Sequence, residues 1–581
     1  MPATAYAFTC ICAAAAMLAS AGAAAVPLYP PAPPPYHILV DDGVAKAAIV
    51  VPREPSRIEQ FAAAELQRYI ARISGAELPI TSEGAGQKGY RIFVGNTRAL
   101  RGAKVRLDAN TAGRDGFALL SNATRLIIAG RSDLGTLFGV YELLERCLGV
   151  RWFMPGEVGE VVPQAKTVRI GTVRDIVKPA FDTRWVGDGE WSLKQRMNCH
   201  ISVEGEDVGV NWLWHFHTFC LLIPPEEYFD QHPDWFPLVN GKRQKSTREH
   251  SHSTQLCTSN PEVVRKLAEG MIAELDRDPS IEIITLSPND GGGFCECENC
   301  VALDEPGRDW FARYSRRLAV LNAEVARIVG EKHPDVLIKI GAYAMYARPP
   351  LDEGWRPPEN TLVQLCHIYF CHNHPVATGE CREGETYQAS DNFQPNQEFR
   401  RILEQWTGLT DNLYIYEYYS LGGFQRARLP WPLVHTMRHD IPFYRDTGVK
   451  GFYTQLSADS WHRLGLNYYV AAKLAWNADL DVDALLDDYF EKFYGPAADA
   501  IQAYFTALER AYTDYNGCIS YGLKRAEAIA HDIFTPAVIQ QLEQHLRAAL
   551  AAADTALIRQ RVALAEQMLT ETKEALAAIK P

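Results

Sequence analysis

Apolar and polar positions along the chain follow different periods in three successive stretches. Between residues 37 and 172, short β-branched runs recur: HILVDD (37–42), AAIVVP (47–52), RIFVG (91–95), GFALL (116–120) and RLIIAG (125–130). Two stretches of helical period lie among them. In 54–74, Phe61, Leu66, Tyr69, Ile70 and Ile73 share one face and Gly75 follows as a stop. In 133–148, Leu134, Leu137, Phe138, Tyr141, Leu144 and Leu148 form an apolar stripe ahead of Gly149. A small α/β domain is expected over 37–172. From 178 to 460 eight apolar runs alternate with helical or loop stretches: FDTRWVG (181–187), NCHISVEG (198–205), LWHFHTF (213–219), IEIITLSPND (281–290), VLIKIGAYAMY (336–346), TLVQLCHIYF (361–370), LYIYEYYS (413–420) and GFYTQLS (451–457). That number over that length predicts a (β/α)8 TIM-like barrel. A doubly wound sheet is the alternative, but the chain has no G-x-G-x-x-G or P-loop to support one. Residues 466–581 read as helices throughout, with Leu542, Leu546 and Leu550 at helical spacing, then Leu564, Met568 and Leu576. The heptads are too short for a coiled coil, so a bundle packed on the barrel is expected. The predicted class is therefore α/β, a barrel preceded by a small α/β domain and followed by a helical domain.

Composition narrows the setting. The chain has 581 residues, 47% of them hydrophobic and 22% charged, with a net charge of −13. The absence of a basic stripe argues against a nucleic-acid partner. Residues 1–25 carry no charge and end in small residues, which reads as a secretory signal even without a basic n-region. Residues 26–36 (VPLYPPAPPPY) form a Pro-rich linker. No later stretch is long and apolar enough to span a bilayer, so a secreted or periplasmic protein without a membrane span is expected. Of 13 cysteines, Cys10 and Cys12 lie in the signal, leaving an odd number in the mature chain.

Candidate chemistry gathers at the predicted strand ends, around the stretch IEIITLSPNDGGGFCECENC (281–300). Its apolar strand stops at Ser287-Pro288. Asn289 and Asp290 follow, with glycines that allow a ligand to approach the backbone. Asp290 could alternatively only cap a turn. Beside it, the ends of the other runs present Asp188, His200, Glu204, His215, His217, Tyr343, Tyr346, His367, Tyr369, His372, Glu417, Tyr418, Tyr419 and Gln455. Aromatic faces suit sugar rings, and paired acids suit glycosidic cleavage. Asp290 and Glu417, on the fourth and seventh runs, are the expected catalytic pair facing each other across the mouth. The alternative for Glu417 is a structural pair with Arg426 or Arg428. Asn289, His217, Glu204, Tyr343, His367, Tyr369, Tyr418 and Gln455 are the expected substrate-binding residues. His215 and His217 alternate along a run and so face one way, which suits substrate hydrogen bonds better than a two-ligand metal site. Cys295, Cys297 and Cys300 could form a structural zinc site with His250 or His252, or a disulfide with Cys257 or another distant cysteine. No cofactor is expected.

The segments SRIEQFAAAELQRYIARISGAELPI (56–80) and GRSDLGTLFGVYELLERCLGVRWFMPGE (130–157) resemble the N-terminal domain of α-glucuronidases and the similar domain that precedes β-hexosaminidase barrels. HPDWFPLVNGKR (232–243), QLCTSNPEV (255–263), LSPNDGGGFCECENC (286–300) and LNYYVAAKLAWN (466–477) resemble the family first labelled domain of unknown function 4838. That family includes glycoside hydrolase family 163, whose characterised activity is endo-β-N-acetylglucosaminidase cleavage of N-glycans. The resemblance implies a barrel glycosidase acting on a carbohydrate; for a β-N-acetylhexosaminide substrate the expected mechanism is substrate-assisted, with Asp290 and Glu417 assigned from the residues above rather than from the family. The 2-acetamido oxygen attacks the anomeric carbon, with Asp290 orienting the amide and Glu417 protonating the leaving oxygen, or the reverse. Tyr343, Tyr369 and Tyr418 would hold the acetamide or the ring. An α-glucuronidase acting on xylan is the alternative enzyme and would need a cation such as Arg184, Lys339 or Arg348 for the uronate. A non-catalytic glycan-binding protein would keep the aromatic rim without needing paired acids.

Overall fold

The computed structural model describes residues 28–29, 33–86, 89–245, 254–379, 381, 393–420, 427–457, 460–515, 517–520 and 526–579. The expected signal, part of the linker, His250, His252 and Arg426 lie outside the described residues.

The centre is a seven-stranded parallel sheet. Its strands are β1 (Thr183–Val186), β2 (Trp212–Leu213), β3 (Ile283–Leu286), β4 (Leu337–Ala342), β5 (Thr361–Cys366), β6 (Leu413–Glu417) and β7 (Gly451–Thr454). Each of β2 to β6 pairs in parallel with the next strand in the chain, and the first strand pairs with the last, Thr183 opposite Gly451 and Trp185 opposite Tyr453. The sheet curls strongly. Trp185 on one edge strand and Trp212 on the other have ring centroids 6.0 Å apart. Side chains at alternate positions therefore converge on one interior: Trp185, Trp212, Ile283, Leu362 and Tyr414 form one layer, and Cys366, Tyr416 and Tyr418 the next. The intervening positions, Val363, Leu365, Leu413 and Ile415, join the large core beneath the helices.

The run NCHISVEG, expected as the second barrel strand, is not part of this sheet. Cys199 makes one isolated bridge to Val210, and Ile201–Val203 folds back on Glu206–Val208 as an antiparallel hairpin. His200 (φ 50°) and Glu204 (φ 52°) adopt left-handed backbone, which an extended strand cannot accommodate. The run LWHFHTF is strand only at its start. Trp214 (φ 57°) and His217 (φ 56°) turn the chain out of the extended conformation.

The N-terminal region builds a six-stranded mixed sheet. Arg57–Ser74 packs on it as a helix, begun by a reciprocal capping box between Ser56 and Glu59 and ended by Gly75 at φ 77°. The expected helix over 133–148 is α-helical from Asp133 to Glu142 and then widens into a π-turn, Leu143–Cys147. The chain closes with helices Trp461–Trp476, Val482–Tyr494, Ala498–Tyr515, Ala526–Ile533, Pro536–Ala552 and Ala556–Ala578. Among the described residues, no helix is long and apolar enough to cross a membrane.

One buried ion cluster joins the three regions. Glu145, on the π-turn, is fully buried. It pairs with Arg196, which follows β1, at 2.8 Å, and with Lys473 of the Trp461–Trp476 helix. Arg196 also reaches Glu142 at 2.9 Å, and Arg151 donates to the Glu145 carbonyl at 2.5 Å while pairing with Asp488 at 2.6 Å. Burial opposes the charge on Glu145, but Lys473, Arg196 and Arg151 outweigh it and hold the carboxyl down to about 2. Lys473 is pulled down to about 8, first by burial and against the attraction of Glu145. Removing the Glu145 charge leaves buried cations uncompensated, so Glu145→Gln should cost about 3–5 kcal/mol in denaturant unfolding. Because the folded value lies below the ordinary 4.5, the Glu145 contribution is present above 4.5 and is lost as pH falls towards 2. Across that interval the parent's stability should fall more steeply than the variant's; equal slopes would show that Glu145 is not held ionised.

Candidate active site

The C-terminal end of the sheet is built around the turn after β3. Asn289 is buried and anchors it: its Oδ1 accepts from the Cys220 N–H at 3.0 Å, and its Nδ2 donates to the Thr254 carbonyl at 2.8 Å. Gln255 closes the turn by donating to the Asn289 carbonyl at 2.7 Å. Asn289 therefore spends its amide on backbone, and the next residue, Asp290, projects to the rim with 27% of its side chain exposed. Gly291 (φ 99°) and Gly293 (φ 69°) supply the left-handed backbone that lets the chain leave.

Tyr343 and His217 both meet Asp290. The Tyr343 hydroxyl, just past β4, donates to its Oδ1 at 3.1 Å, and His217 Nε2 lies 3.9 Å from the same oxygen. His217 Nδ1 is 2.8 Å from the Pro288 carbonyl, which can only accept, so Nδ1 carries the proton and Nε2 faces the carboxylate. His215 takes a different direction. It enters the interior between Tyr453 (4.2 Å between centroids) and Trp185 (4.5 Å). Burial, then Lys339 and the neighbouring histidines, drive its pKa well below the ordinary value. The two histidines therefore do not face one way, because the left-handed residues at 214 and 217 break the alternation.

Below Asp290 the interior is aromatic. Tyr416 stacks on Tyr418 at 4.5 Å and meets Tyr453 edge-on at 4.4 Å, while Phe216 meets Tyr343 at 5.6 Å. Gln455 Nε2 donates to the Tyr416 hydroxyl. Trp185 stacks on His200 at 4.0 Å and donates its indole N–H to Asp188 at 2.9 Å. Deeper, Lys339 is fully buried, with Nζ 3.3 Å from the Phe216 ring centroid and donating to the His215 carbonyl at 3.0 Å. Burial lowers its pKa far below the ordinary lysine value.

Glu417 does not share this interior. On β6 the tyrosines at 414, 416 and 418 face inward, so Glu417 falls on the outward side with Leu413 and Ile415. Its side chain is 1% exposed. It accepts from His367 Nδ1 at 3.1 Å and from the hydroxyl of Tyr444, on the Val434–Asp446 helix, at 2.5 Å. The expected facing of Asp290 and Glu417 across the mouth is thus corrected by strand alternation, and Glu417 has no pair with Arg428, which reaches Glu571 instead. Nearby Asp440 is pushed up to about 7, chiefly by burial.

His367 follows Glu417 to the outer side: its Nε2 meets Asn396 Oδ1 at 3.1 Å. That oxygen also accepts from the Cys371 N–H at 3.1 Å while Asn396 Nδ2 donates to the His374 carbonyl at 2.7 Å, which orients the amide. Both ring nitrogens of His367 therefore face acceptors, an arrangement that favours the imidazolium. Burial works against this, but the charge and hydrogen bond of Glu417, with Asn396, raise the pKa above its ordinary value.

The remaining expected residues separate. Glu204 sits in the hairpin and binds Arg57 of the N-terminal region at 2.9 Å, with 55% of its side chain exposed. Tyr369 is half-buried, its ring 5.0 Å from Trp310. Tyr418 and Gln455 belong to the aromatic interior. Interior residues not singled out above include Trp185, Tyr416 and Tyr453; only on β6, where Tyr414 and Tyr416 alternate with Leu413 and Ile415, did the sequence carry a signal for them. Of the cations weighed for a uronate, Arg184 is buried against Asp115 at 3.2 Å, and Arg348 pairs with Asp309 and Glu398.

Cys295, Cys297 and Cys300 come together with Cys257. All four sulfurs lie within 4.8 Å of one another, at 3.7 Å for Cys257–Cys297 and 3.9 Å for Cys257–Cys300. All four are free thiols, so the disulfide alternative is not the arrangement seen here. Four thiolates about 2.3 Å from a tetrahedral zinc ion would stand about 3.8 Å apart, so the residues fit that ion, with Cys257 as the fourth ligand.

A curled parallel sheet with a carboxylate at its C-terminal rim, behind a separate α/β domain, defines the class. Residues 154–506 match the family model described as Domain of unknown function (DUF4838), and residues 41–143 match Glycosyl hydrolase family 67 N-terminus. The chain belongs to the DUF4838 family. No curated protein matches it. Among solved structures it is similar to a family GH115 4-O-methyl-α-glucuronidase, BtGH115A, with specificity for decorated arabinogalactans. That match has a TM-score of 0.55 and 13% identity over 93% of this chain and 73% of the other. It is also similar to CpGH84D (TM-score 0.45, 11% identity, 93% and 92% covered). A third similarity is to a GH138 enzyme targeting pectin rhamnogalacturonan II (TM-score 0.39, 12% identity, 92% and 69% covered). At such identities the GH115 likeness speaks for the fold.

His367 should titrate above its ordinary 6.5 in the folded chain. Its stabilising contribution is then full below 6.5 and is lost as pH rises through the raised value. Glu417→Gln removes the favourable charge and leaves burial, so the His367 pKa should drop below that of the free side chain. Imidazole ¹⁵N NMR checks both, and a ring already neutral at about pH 6 in the parent would contradict the assignment.

Proposed function

We propose that the chain is an exported glycoside hydrolase that acts on β-N-acetylglucosaminyl linkages of glycans at the C-terminal end of a (β/α) barrel. The observation that supports this most is Asp290: a partly exposed carboxylate at a strand end, held by Tyr343 above an interior of stacked aromatic rings. Aromatic faces take the C–H faces of a sugar, and the carboxylate takes its polar edge. In the substrate-assisted route the acetamide oxygen forms the bond to the anomeric carbon as the bond to the leaving oxygen breaks. Asp290 accepts the acetamide N–H and balances the positive charge that develops, and the Tyr343 hydroxyl keeps the carboxylate aimed. His217, 3.9 Å from Asp290, is the group placed to carry a proton on its Nε2 to the leaving oxygen and to take one back from the attacking water. Glu417, enclosed by His367 and Tyr444, is a positioning residue in this reading.

A second reading is an α-glucuronidase, favoured by the family 67 match over residues 41–143. Against it, Arg184 and Arg348 are already paired and Lys339 lies beneath the aromatic layer, so none of the three offers a free cation to a uronate.

Incubation with N-glycans, chitobiosides and glucuronoxylan, followed by mass spectrometry of the released sugars, tests the readings. Cleavage at N-acetylglucosamine is expected. Release of glucuronic acid would select the second reading, and binding without release would identify a glycan-binding protein. On the cleaved substrate, Asp290→Asn should lower turnover about 10²–10⁴-fold with the melting temperature unchanged. Undiminished turnover would remove Asp290 from the reaction.

A further inference from the structure

A second group of metal-ligating side chains lies away from Asp290, where the loop after β5 meets the C-terminal helices. Cys371, His374 and Cys381 come from that loop, and Cys518 from the segment after the Ala498–Tyr515 helix. All four are buried, and one ligand atom from each lies within 4.8 Å of all the others. His374 Nδ1 is 3.3 Å from Cys371 Sγ, 3.7 Å from Cys381 Sγ and 3.7 Å from Cys518 Sγ. A tetrahedral zinc ion with bonds of about 2.3 Å to sulfur and about 2.0–2.1 Å to nitrogen sets neighbouring sulfur and nitrogen atoms about 3.6 Å apart. The three observed separations bracket that spacing. None of the cysteines is in a disulfide.

The surroundings hold the ligands in place. Asn396, at the start of the Asn396–Thr407 helix, accepts from the Cys371 N–H at 3.1 Å, donates from its side chain to the His374 carbonyl at 2.7 Å, and directs its own backbone N–H at Cys381 Sγ at 3.5 Å. An N–H aimed at sulfur favours a thiolate. Across the junction, the His372 N–H donates to the Ile519 carbonyl at 2.7 Å, and Asn373 donates to the carbonyls of Tyr512 and Gly517 at 3.1 and 3.0 Å. Three thiols and an imidazole buried around one point are costly as separate polar groups, and they become a stable unit when a cation binds them.

We infer that Cys371, His374, Cys381 and Cys518 bind one structural zinc ion, which fastens the C-terminal helical region to the loop after β5. Soft thiolates with one imidazole in a closed four-ligand set select zinc over the hard cations. Binding releases the three thiol protons to solvent and involves no redox change. Through Asn396 the same unit orients His367, and so the ion also braces the buried His367–Glu417 pair.

The test is zinc content per chain by elemental mass spectrometry. The parent, His374→Ala, Cys518→Ala and Cys300→Ala, the last in the other thiol group, are each equilibrated with the same excess of zinc and desalted. His374→Ala and Cys518→Ala should each hold one zinc fewer than the parent, and Cys300→Ala should keep that ion. If the first two variants do not fold, Cys300→Ala reconstituted with cobalt(II) provides the reading, through tetrahedral visible bands and sulfur-to-cobalt charge transfer. Unchanged zinc in both folded variants, or no such bands in the cobalt protein, would overturn the assignment. So would copper or iron retained in place of zinc, or a disulfide between any two of Cys371, Cys381 and Cys518 in unreduced peptide maps of the parent.

Discussion

Along β6 the tyrosines at 414, 416 and 418 point into the curled sheet, while Leu413, Ile415 and Glu417 point towards the helices. A parallel strand buried on both faces offers no third option, and a slip of one residue would exchange every side chain between the two sides. The same alternation runs through β5, where Leu362 and Cys366 face inward while Val363 and Leu365 face out. It decides what the rim can present. The interior acquires rings stacked over one another, and the acids it can show are those that follow a strand end on a turn rather than those within a strand. Asp290 is such an acid; Glu417 is the last residue of a strand and is bound by its register.

Facing outward, Glu417 meets a medium with little water, and the structure answers with partners. His367 and Tyr444 both bond to it, and His367 is in turn held by Asn396. The same response appears at Glu145, where three cations surround a single carboxylate. Lys339 is the contrasting case. Beneath the aromatic layer it has a carbonyl and a ring face for company, and its charge is correspondingly disfavoured. Buried charge is thus compensated by partners at Glu417 and Glu145 and disfavoured at Lys339 beneath the candidate site.

The periodicity of the chain makes most elements legible, because buried strands and amphipathic helices leave patterns that few other structures produce over such lengths. It misleads where single residues adopt left-handed backbone. His200 and Glu204 read as members of a strand, and their positive φ turns that segment into a hairpin whose Glu204 serves Arg57. Trp214 and His217 do the same to the next run and send its two histidines in different directions. Residue type marks them only faintly, through the two histidines and Gly205 after Glu204. The orientation of Glu417, in contrast, is legible in YIYEYYS, where the glutamate has the parity opposite to the first two tyrosines and to the inward tyrosine after it. An aromatic neighbourhood in sequence is not one in space.

The cysteines show a third kind of limit. Cys295, Cys297 and Cys300 are adjacent in the chain, but Cys257 joins them only because the segment before the Pro261–Arg277 helix passes their loop. The pattern Cys371-x-x-His374 with Cys381 is as compact, yet its fourth member, Cys518, comes from beyond the parallel sheet altogether. Chain spacing can show three ligands and not the fourth, because the fourth is recruited by docking of one region on another. Both groups sit at the root of a loop that follows a strand of the sheet: one directly after the Asp290 turn, the other after β5 and next to His367. Long loops carry little apolar surface with which to hold themselves, and a cluster of soft ligands is a compact substitute for a core. The first group follows the Asp290 turn directly, and the second lies beside the loop that carries His367 on the outer side of the sheet.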